Sequence, residues 1–201
     1  MKRVLYIILT VLCVCPLSVA GQDLDRIMEV SSSIRTLQCG FRQTKYIEAI
    51  GSGMESEGYM VYDSGGSLRW EYISPIEFAV VISGGKVTMR SGDGQVSRAP
   101  ADNMFRRISE LLAETVSGRC LAPDGDFDCG SSIRDGMTVA ELTPKDRDLR
   151  RVISRVTLYF DRSTCLLRYL EMEEKNGDRT RIDIYGVRLN EALGTDVFEL
   201  R

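Results

Sequence analysis

The chain has 201 residues, of which 43% are hydrophobic and 27% are charged, as expected for one globular domain with a sizeable core. Its formal net charge of −3 argues against a nucleic-acid partner, because binding to phosphates requires a basic surface. The chain contains no histidine, which excludes Ser–His and Cys–His catalysis and removes the most common metal ligand.

The first residues have the organisation of a secretory signal peptide. Lys2 and Arg3 precede the apolar stretch 4–14, which is too short to span a bilayer comfortably, and small residues follow it. An uncleaved anchor is the alternative. We expect residues 1–20 to be removed on export and residues 21–201 to form a single soluble domain.

Export would leave four cysteines in an oxidising compartment, where an even number favours disulfides over a metal site. They are Cys39, Cys120, Cys129 and Cys165. Our hypothesis is a Cys39–Cys120 disulfide, which would join the ends of the two predicted helices and leave Cys129 with Cys165. The alternative is that some of these thiols are buried and free, as small hydrophobic side chains.

The first predicted helix starts at Asp23, a possible N-cap, and runs to about Thr36. Its apolar residues recur at three- and four-residue steps and form one stripe. The polar run 31–33 weakens the middle of this prediction. The stripe consists of Leu24, Ile27, Met28, Ile34 and Leu37.

The clearest strand in the chain is 66–72. Its residues Leu68, Trp70 and Tyr72 alternate with polar residues, so one face of this strand is apolar and the other is polar. Shorter runs of the same kind surround it and are separated by glycine-rich turns, as in an antiparallel meander. The predicted strands of this half are 41–47, 58–62, 66–72, 77–82 and 86–89.

Two of these strands have unusual faces. Ala79 and Val81 make 77–82 apolar on both faces, which predicts that this strand is covered on both sides. The first strand has a face of mixed polarity, and this leaves its orientation open. That face consists of Cys39, Phe41, Gln43, Lys45 and Ile47.

The second predicted helix follows Pro100, with Asp102 as N-cap and Gly118 as its C-terminal stop. It is amphipathic, and two interpretations remain open. The helix either covers the open face of the sheet as ordinary core or acts as a lid that can lift. Its apolar stripe consists of Met104, Phe105, Ile108, Leu111, Leu112 and Val116.

The C-terminal half returns to strands, and Asn176-Gly177 is its strongest hairpin signal. The predicted strands are 127–131, 137–142, 152–161, 165–173 and 180–188. We find no internal repeat and no linker, which indicates one domain.

No catalytic constellation, metal motif or phosphate-binding loop is present in the sequence. The glycine- and aspartate-containing segments 92–94 and 125–128 lack the alternating acidic ligands of a calcium loop, so turns are the better interpretation. We therefore expect no catalytic residue, no metal and no cofactor, and an enzyme is the least supported class.

The predicted sheet carries more apolar surface than one face needs. A curved sheet covered by helices can enclose an apolar cavity, and burying a lipid chain there gains roughly 0.8 kcal/mol per methylene. We therefore predict a lipid-binding cavity. Its predicted lining is Phe41, Met60, Tyr62, Leu68, Trp70, Tyr72, Phe78, Val80, Met104, Phe105, Ile108, Leu111 and Leu112.

Several segments, in order along the mature chain, match one known family. They are Phe41-Arg42-Gln43-Thr44-Lys45, Gly58-Tyr59-Met60-Val61-Tyr62, Leu68-Arg69-Trp70-Glu71-Tyr72 with Pro75, Ser83-Gly84-Gly85-Lys86, Leu142-Thr143-Pro144-Lys145, Gly177-Asp178-Arg179-Thr180 and residues 190–198. With these segments the chain resembles the periplasmic outer-membrane lipoprotein carrier (LolA-like) family. The resemblance implies an α+β, mainly β fold, in which an incomplete, half-open antiparallel β-barrel has helices covering its open apolar side.

The same resemblance implies a function. A family member would be a monomeric carrier or chaperone in the periplasm that binds lipoprotein acyl chains. It would take them from an inner-membrane ABC-type release complex and pass them to an outer-membrane acceptor that the sequence does not identify. Two rival hypotheses are a carrier or sensor for a free lipid or glycolipid on the same fold, and a packed interior whose surface serves protein contacts.

One position departs from the family pattern. Family members commonly have Arg-Pro in the loop before the Leu-Arg-Trp strand, whereas this chain has Ser64-Gly65. A serine cannot form the charge-assisted hydrogen bonds by which that arginine is associated with holding the lid. The resemblance therefore supports lipid carriage better than it supports the family's route of release.

Overall fold

The computed structural model describes residues 19–98 and 104–200, with the side chains of 21–97 and 111–200. These residues form two α-helices and eleven strands of one antiparallel sheet. The helices are α1 (Val19–Ser32) and α2 (Met104–Ser117). The strands are β1 (Thr36–Ile47), β2 (Ser52–Asp63), β3 (Ser67–Ser74), β4 (Phe78–Ser83), β5 (Lys86–Arg90), β6 (Val96–Arg98), β7 (Phe127–Arg134), β8 (Met137–Pro144), β9 (Ile153–Asp161), β10 (Leu167–Glu174) and β11 (Arg179–Leu189).

The sheet is built from two meanders joined along β1 and β11. The strand order is β6-β5-β4-β3-β2-β1-β11-β10-β9-β8-β7, and β1 pairs with β11 from Leu37–Leu189 to Tyr46–Arg179. In the described residues β6 and β7 are the two edges of the sheet, and α2 lies between them in the chain. The prediction of an incomplete antiparallel barrel with helical cover is thus confirmed.

The apolar core lies on the inner face of this curved sheet. Phe41 of β1, Leu68 and Trp70 of β3, and Leu158 and Phe160 of β9 are all buried there. The period-two alternation of the sequence explains this arrangement, because every second side chain of a strand points to the same face.

Strand β4 is covered on both sides, as predicted. Ala79, Val80 and Val81 are all at most 3% exposed. Ala79 and Val81 share the outer face with Arg69, whose guanidinium donates hydrogen bonds to the carbonyl oxygens of Val197 at 2.9 Å and Glu199 at 3.2 Å. The C-terminal segment is therefore tied to the outer face of this part of the sheet.

Helix α1 differs from its prediction at both ends. Asp23 lies within the helix rather than at its start, and its carboxylate accepts hydrogen bonds from Arg162 and Thr138, both at 3.1 Å. The hydroxyls of Ser32 and Ser33 donate to main-chain carbonyls of the preceding turn at 2.7 and 2.6 Å, and the helix ends there, at Ser32 rather than near residue 36. Polar residues of this kind compete with helical hydrogen bonding.

Most of the remaining boundaries agree with the sequence pattern within three residues, but β1 and β2 begin about five and six residues earlier than predicted, at Thr36 and Ser52. Helix α2 ends at Ser117, and Gly118 follows with a φ of 74°, which confirms it as the C-terminal stop. Pro100 and Asp102, the predicted start of that helix, lie outside the described residues. The sequence pattern does not predict β6, which has only three residues.

Candidate functional site

An apolar cavity of about 210 Å³ lies between the inner face of the sheet and α2. Aromatic and aliphatic side chains from both meanders and from the helix form most of its wall. Five polar side chains, Gln43, Lys45, Thr115, Glu174 and Thr180, complete it. The lining residues are Gln43, Lys45, Trp70, Tyr72, Leu111, Leu112, Thr115, Val156, Leu170, Met172, Glu174, Thr180 and Ile182.

Strand register brings the C-terminal part of this wall together. Leu170 pairs with Ile182, and Met172 lies between Val156 on one side and Thr180 on the other. The predicted lining contains none of these residues, although the period-two pattern of β9, β10 and β11 identified each of these strands. The local pattern does not predict that β1 pairs with β11. This pairing places the apolar face of β9, β10 and β11 beside the N-terminal meander.

Trp70 and Tyr72 line the opposite side of the cavity, and the ring of Phe41 packs against both. The ring of Phe41 stacks on Trp70 at 3.9 Å between centroids and meets Tyr72 edge-on at 5.2 Å. A Cβ at Gly58 would collide with the Phe41 ring and with the carbonyl oxygen of Glu71, so glycine is required where this ring lies against β2. Packed aromatic rings hold the wall in one arrangement.

The polar end of the cavity has its own network. The Lys45 ammonium donates to the Glu174 carboxylate at 2.9 Å and lies 3.9 Å from the Asp178 carboxylate. The Tyr72 hydroxyl donates to the side-chain oxygen of Gln43 at 2.9 Å. Burial raises the pKa of the Tyr72 phenol further above neutrality.

A second, smaller cavity of about 50 Å³ lies beside the first, and Thr115 lines both. Its wall includes Ile34 after α1, Met60 of β2, and Val116 of α2. The two cavities leave space beneath α2 on both sides of Thr115.

The predicted lining residues fall into several groups. Trp70, Tyr72, Leu111 and Leu112 line the larger cavity, and Met60 lines the smaller one. The side chains of Met104, Phe105 and Ile108 lie outside the described residues.

The other predicted lining residues lie away from the two cavities. Phe41 and Val80 are buried in the sheet, and Phe78 is half-buried with its ring 6.4 Å from that of Tyr72. Tyr62 and Leu68 line a separate groove at the C-terminal end of α2.

That separate groove, of about 420 Å³, contains the position that departs from the family pattern. Ser64 lies on one side of it, in the β2–β3 turn, where its amide donates to the carbonyl oxygen of Arg35 at 2.8 Å. Arg119, which follows α2, also lines the groove and is 3.9 Å from Glu114. A cation is thus present here, but it comes from the end of the helix rather than from the turn.

All four cysteines of the described chain are free thiols, so neither the Cys39–Cys120 pair nor the Cys129–Cys165 pair is formed. Cys39 and Cys165 instead line the smaller cavity, and Cys120 packs against Thr115 of α2, with 3.9 Å from sulfur to hydroxyl oxygen. Burial raises the pKa of Cys39 and of Cys120 to about 12. These thiols behave as small apolar side chains, which is the alternative that the sequence left open.

Two hydroxyls in the described part of α2 donate hydrogen bonds within the helix. The hydroxyl of Thr115 donates to the carbonyl oxygen of Leu111 at 2.8 Å, and that of Ser117 donates to the carbonyl oxygen of Glu114 at 3.2 Å. Apolar side chains make the contact with the sheet, through Leu111 and Leu112.

Two features are absent from the residues that the structure describes. None of the helices there is both long and apolar enough to cross a membrane. In that same part of the chain, no cluster of three or more Cys, Asp or Glu side chains is arranged to hold a metal ion.

Comparison with known proteins gives one consistent result. Residues 32–201 match the sequence model of the family described as outer membrane lipoprotein carrier protein LolA. The outer-membrane lipoprotein carrier protein of Pseudomonas entomophila is 26% identical over 179 residues, which cover 89% of this chain and 83% of the relative. That of Pseudomonas fluorescens is 26% identical over 202 residues, which cover 98% and 94%.

The fold has solved counterparts. A LolA superfamily protein from Nitrosomonas europaea superposes with a TM-score of 0.50 at 14% identity, and the match covers 89% of this chain and 96% of that protein.

Proposed function

The chain belongs to the LolA family of outer membrane lipoprotein carrier proteins, and we propose that it carries lipoproteins through the periplasm with their acyl chains in the cavity beneath α2. The observation that carries this proposal is the apolar cavity between an amphipathic helix and the inner face of an open barrel. The carrier binds and releases its cargo without a chemical step.

The size of the cavity supports a moving helix. About 210 Å³ is below the roughly 300–1,000 Å³ of typical ligand pockets, so the structure corresponds to a closed form. Acyl chains enter by displacing Leu111 and Leu112 from the sheet, and they replace those contacts with their own methylenes at roughly 0.8 kcal/mol each. The hydroxyls of Thr115 and Ser117 bond within α2 and keep these bonds during the motion, which favours the lid over ordinary core.

The route follows from the family. The chain is exported by a signal peptide, residues 1–20, that is cleaved, and the mature carrier acts as a monomer. It receives acylated lipoproteins from an inner-membrane ABC-type release complex and delivers them to an outer-membrane acceptor. Residues 21–201 act as one carrier domain.

Release from spheroplasts tests the proposal. Mature protein is added to spheroplasts of a diderm bacterium whose newly made lipoproteins are labelled, and the soluble fraction is recovered with the carrier. We expect labelled lipoproteins in that fraction, bound to the protein. Folded protein that leaves all labelled lipoproteins on the membrane would overturn the proposal.

A variant pair links this release to the cavity. Leu112→Glu introduces a charge into the cavity wall and is expected to abolish release, because an unpaired charge is costly to bury. Ile133→Glu, on an exposed position of β7, is the matched control and is expected to release lipoproteins as the unchanged protein does.

A further inference from the structure

The polar end of the cavity has more negative than positive charge close by, although only Lys45 and Glu174 line the cavity itself and Asp178 does not. Lys45 provides one ammonium, while Glu174 and Asp178 provide two carboxylates within 4 Å of it, at 2.9 and 3.9 Å. Their side chains are largely shielded, with 15% of Glu174 and 11% of Asp178 exposed. The next cation along β11, Arg179, is mostly exposed and lies over the ring of Tyr46, outside this group.

Charges that face an apolar cavity need an explanation. Burying an ion pair costs desolvation energy that its own attraction rarely exceeds, so a pair at this place is weak evidence for stability. Lys45 and Glu174 line the same cavity as Trp70 and Leu112, and a bound amphiphile would therefore meet both the apolar wall and the charged end.

Gln43, two residues before Lys45 on the same face of β1, adds a hydrogen-bond donor to the cavity. Its side-chain oxygen accepts from the Tyr72 hydroxyl at 2.9 Å, which fixes the orientation of the carboxamide. Its side-chain nitrogen has no acceptor among the described residues and lines the cavity. A carbonyl oxygen next to an acyl chain is the group that such a donor binds.

We propose that this polar end selects uncharged acyl esters and rejects lipids with anionic head groups. Gln43 donates to an ester carbonyl, while Glu174 repels a phosphate that would have to be buried beside it and Asp178, 3.9 Å from Lys45, offsets the positive charge of that ammonium. The inference rests on the proposed function and gives the carrier a way to exclude the anionic phospholipids of the membranes that it visits.

The test compares two lipids with identical acyl chains, dioctanoylglycerol and dioctanoyl phosphatidic acid. Binding is followed by displacement of the neutral dye N-phenylnaphthylamine and by the fluorescence of Trp70, the only tryptophan. We expect the mature protein to prefer dioctanoylglycerol by at least about tenfold, because like charges brought together in a buried site are costly.

Three variants assign the preference to residues. Glu174→Gln is expected to reduce it several-fold, chiefly by strengthening the binding of phosphatidic acid. Glu173→Gln is the matched control, since the Glu173 carboxylate pairs with Arg155 on the exposed side of the same strand, and it is expected to leave the preference unchanged. Gln43→Leu is expected to weaken dioctanoylglycerol binding and leave dye binding unaffected.

The possible outcomes distinguish a failure of this inference from a failure of the proposed carrier function. Equal affinity for the two lipids, or a preference that Glu174→Gln leaves intact, overturns the inference and leaves the carrier function standing. Failure of the folded protein to bind the dye or either lipid overturns both.

Discussion

Both helices lay an apolar stripe against the inner side of the same sheet, but they are held there by different forces. Helix α1 buries Ile27 and is bound to the β9–β10 turn by the Asp23–Arg162 ion pair. Its Arg26 also donates to the carbonyl oxygens of Arg162 and Ser163, both at 3.4 Å.

Helix α2, in its described part, meets the sheet through half-buried or buried apolar side chains, and the hydroxyls of Thr115 and Ser117 bond within the helix. The two amphipathic patterns look alike in the sequence. Under the proposed function, α1 is the fixed helix and α2 the lid, and in the described residues they differ in their polar links to the sheet strands and their turns rather than in their apolar stripes.

The largest expected difference between the helices concerns stability. Ile27→Ala removes a side chain that is 1% exposed and leaves a cavity, so we expect the free energy of unfolding to fall by about 3 kcal/mol. Leu112→Ala, on a half-buried position of α2, is expected to lower it by only about 1 kcal/mol. Urea denaturation of both variants measures this contrast, and equal losses would contradict the assignment of α1 as the fixed helix.

For ligand binding, we expect the substitution in α2 to have a larger effect than the substitution in α1. Leu112→Glu is expected to weaken binding of the dye N-phenylnaphthylamine about a hundredfold, or about 2.7 kcal/mol, because the cavity wall acquires an unpaired charge. In Ile27→Ala, dye affinity per folded molecule is expected to stay unchanged. Fluorescence titration measures both, and a loss of affinity in Ile27→Ala as large as in Leu112→Glu would remove the distinction between the helices.

The thiols beneath α2 predict a dependence on pH. Burial raises the pKa of Cys120 from 9.0 to about 12, so the folded state keeps this proton while the unfolded chain loses it as the pH rises above 9. A raised pKa in the folded state therefore predicts that stability declines with increasing pH between about 9 and 12, by about 1.4 kcal/mol per pH unit for each such thiol.

Urea denaturation at several pH values measures this decline. Cys120→Ala is expected to flatten the pH profile without changing its direction, because Cys39 is shifted in the same way. An identical slope in the variant would show that Cys120 is wetted in the folded state, and the underside of α2 would then not be dry.

Local sequence patterns predict much of this architecture. The alternation of Leu68, Trp70 and Tyr72 and the Asn176-Gly177 turn locate strands correctly because period and turn chemistry are properties of neighbouring residues. The open barrel was predicted from the family resemblance, because local patterns alone do not specify how the strands are arranged.

What sequence reasoning missed depends on distant pairings. Asp23 resembles an N-cap, but its partner Arg162 is 139 residues away in the chain. Lys45 and Glu174 are likewise 129 residues apart, and only the β1–β11 register brings the polar end of the cavity together. The Cys39–Cys120 hypothesis placed Cys39 at the end of the first helix, whereas that helix ends at Ser32 and Cys39 lies within β1.

The smallest expected effect tests the polar links of α1 directly. Asp23→Ala leaves the hydroxyl of Thr138 and the guanidinium of Arg162 without this partner, so we expect a loss of about 1 kcal/mol in the free energy of unfolding. Dye and lipid affinities are expected to stay unchanged, because α1 remains packed through Ile27. Urea denaturation and the dye titration measure the two quantities on one sample. If Asp23→Ala instead altered ligand affinity with little loss of stability, α1 would move together with α2, and the lid would have to include both helices.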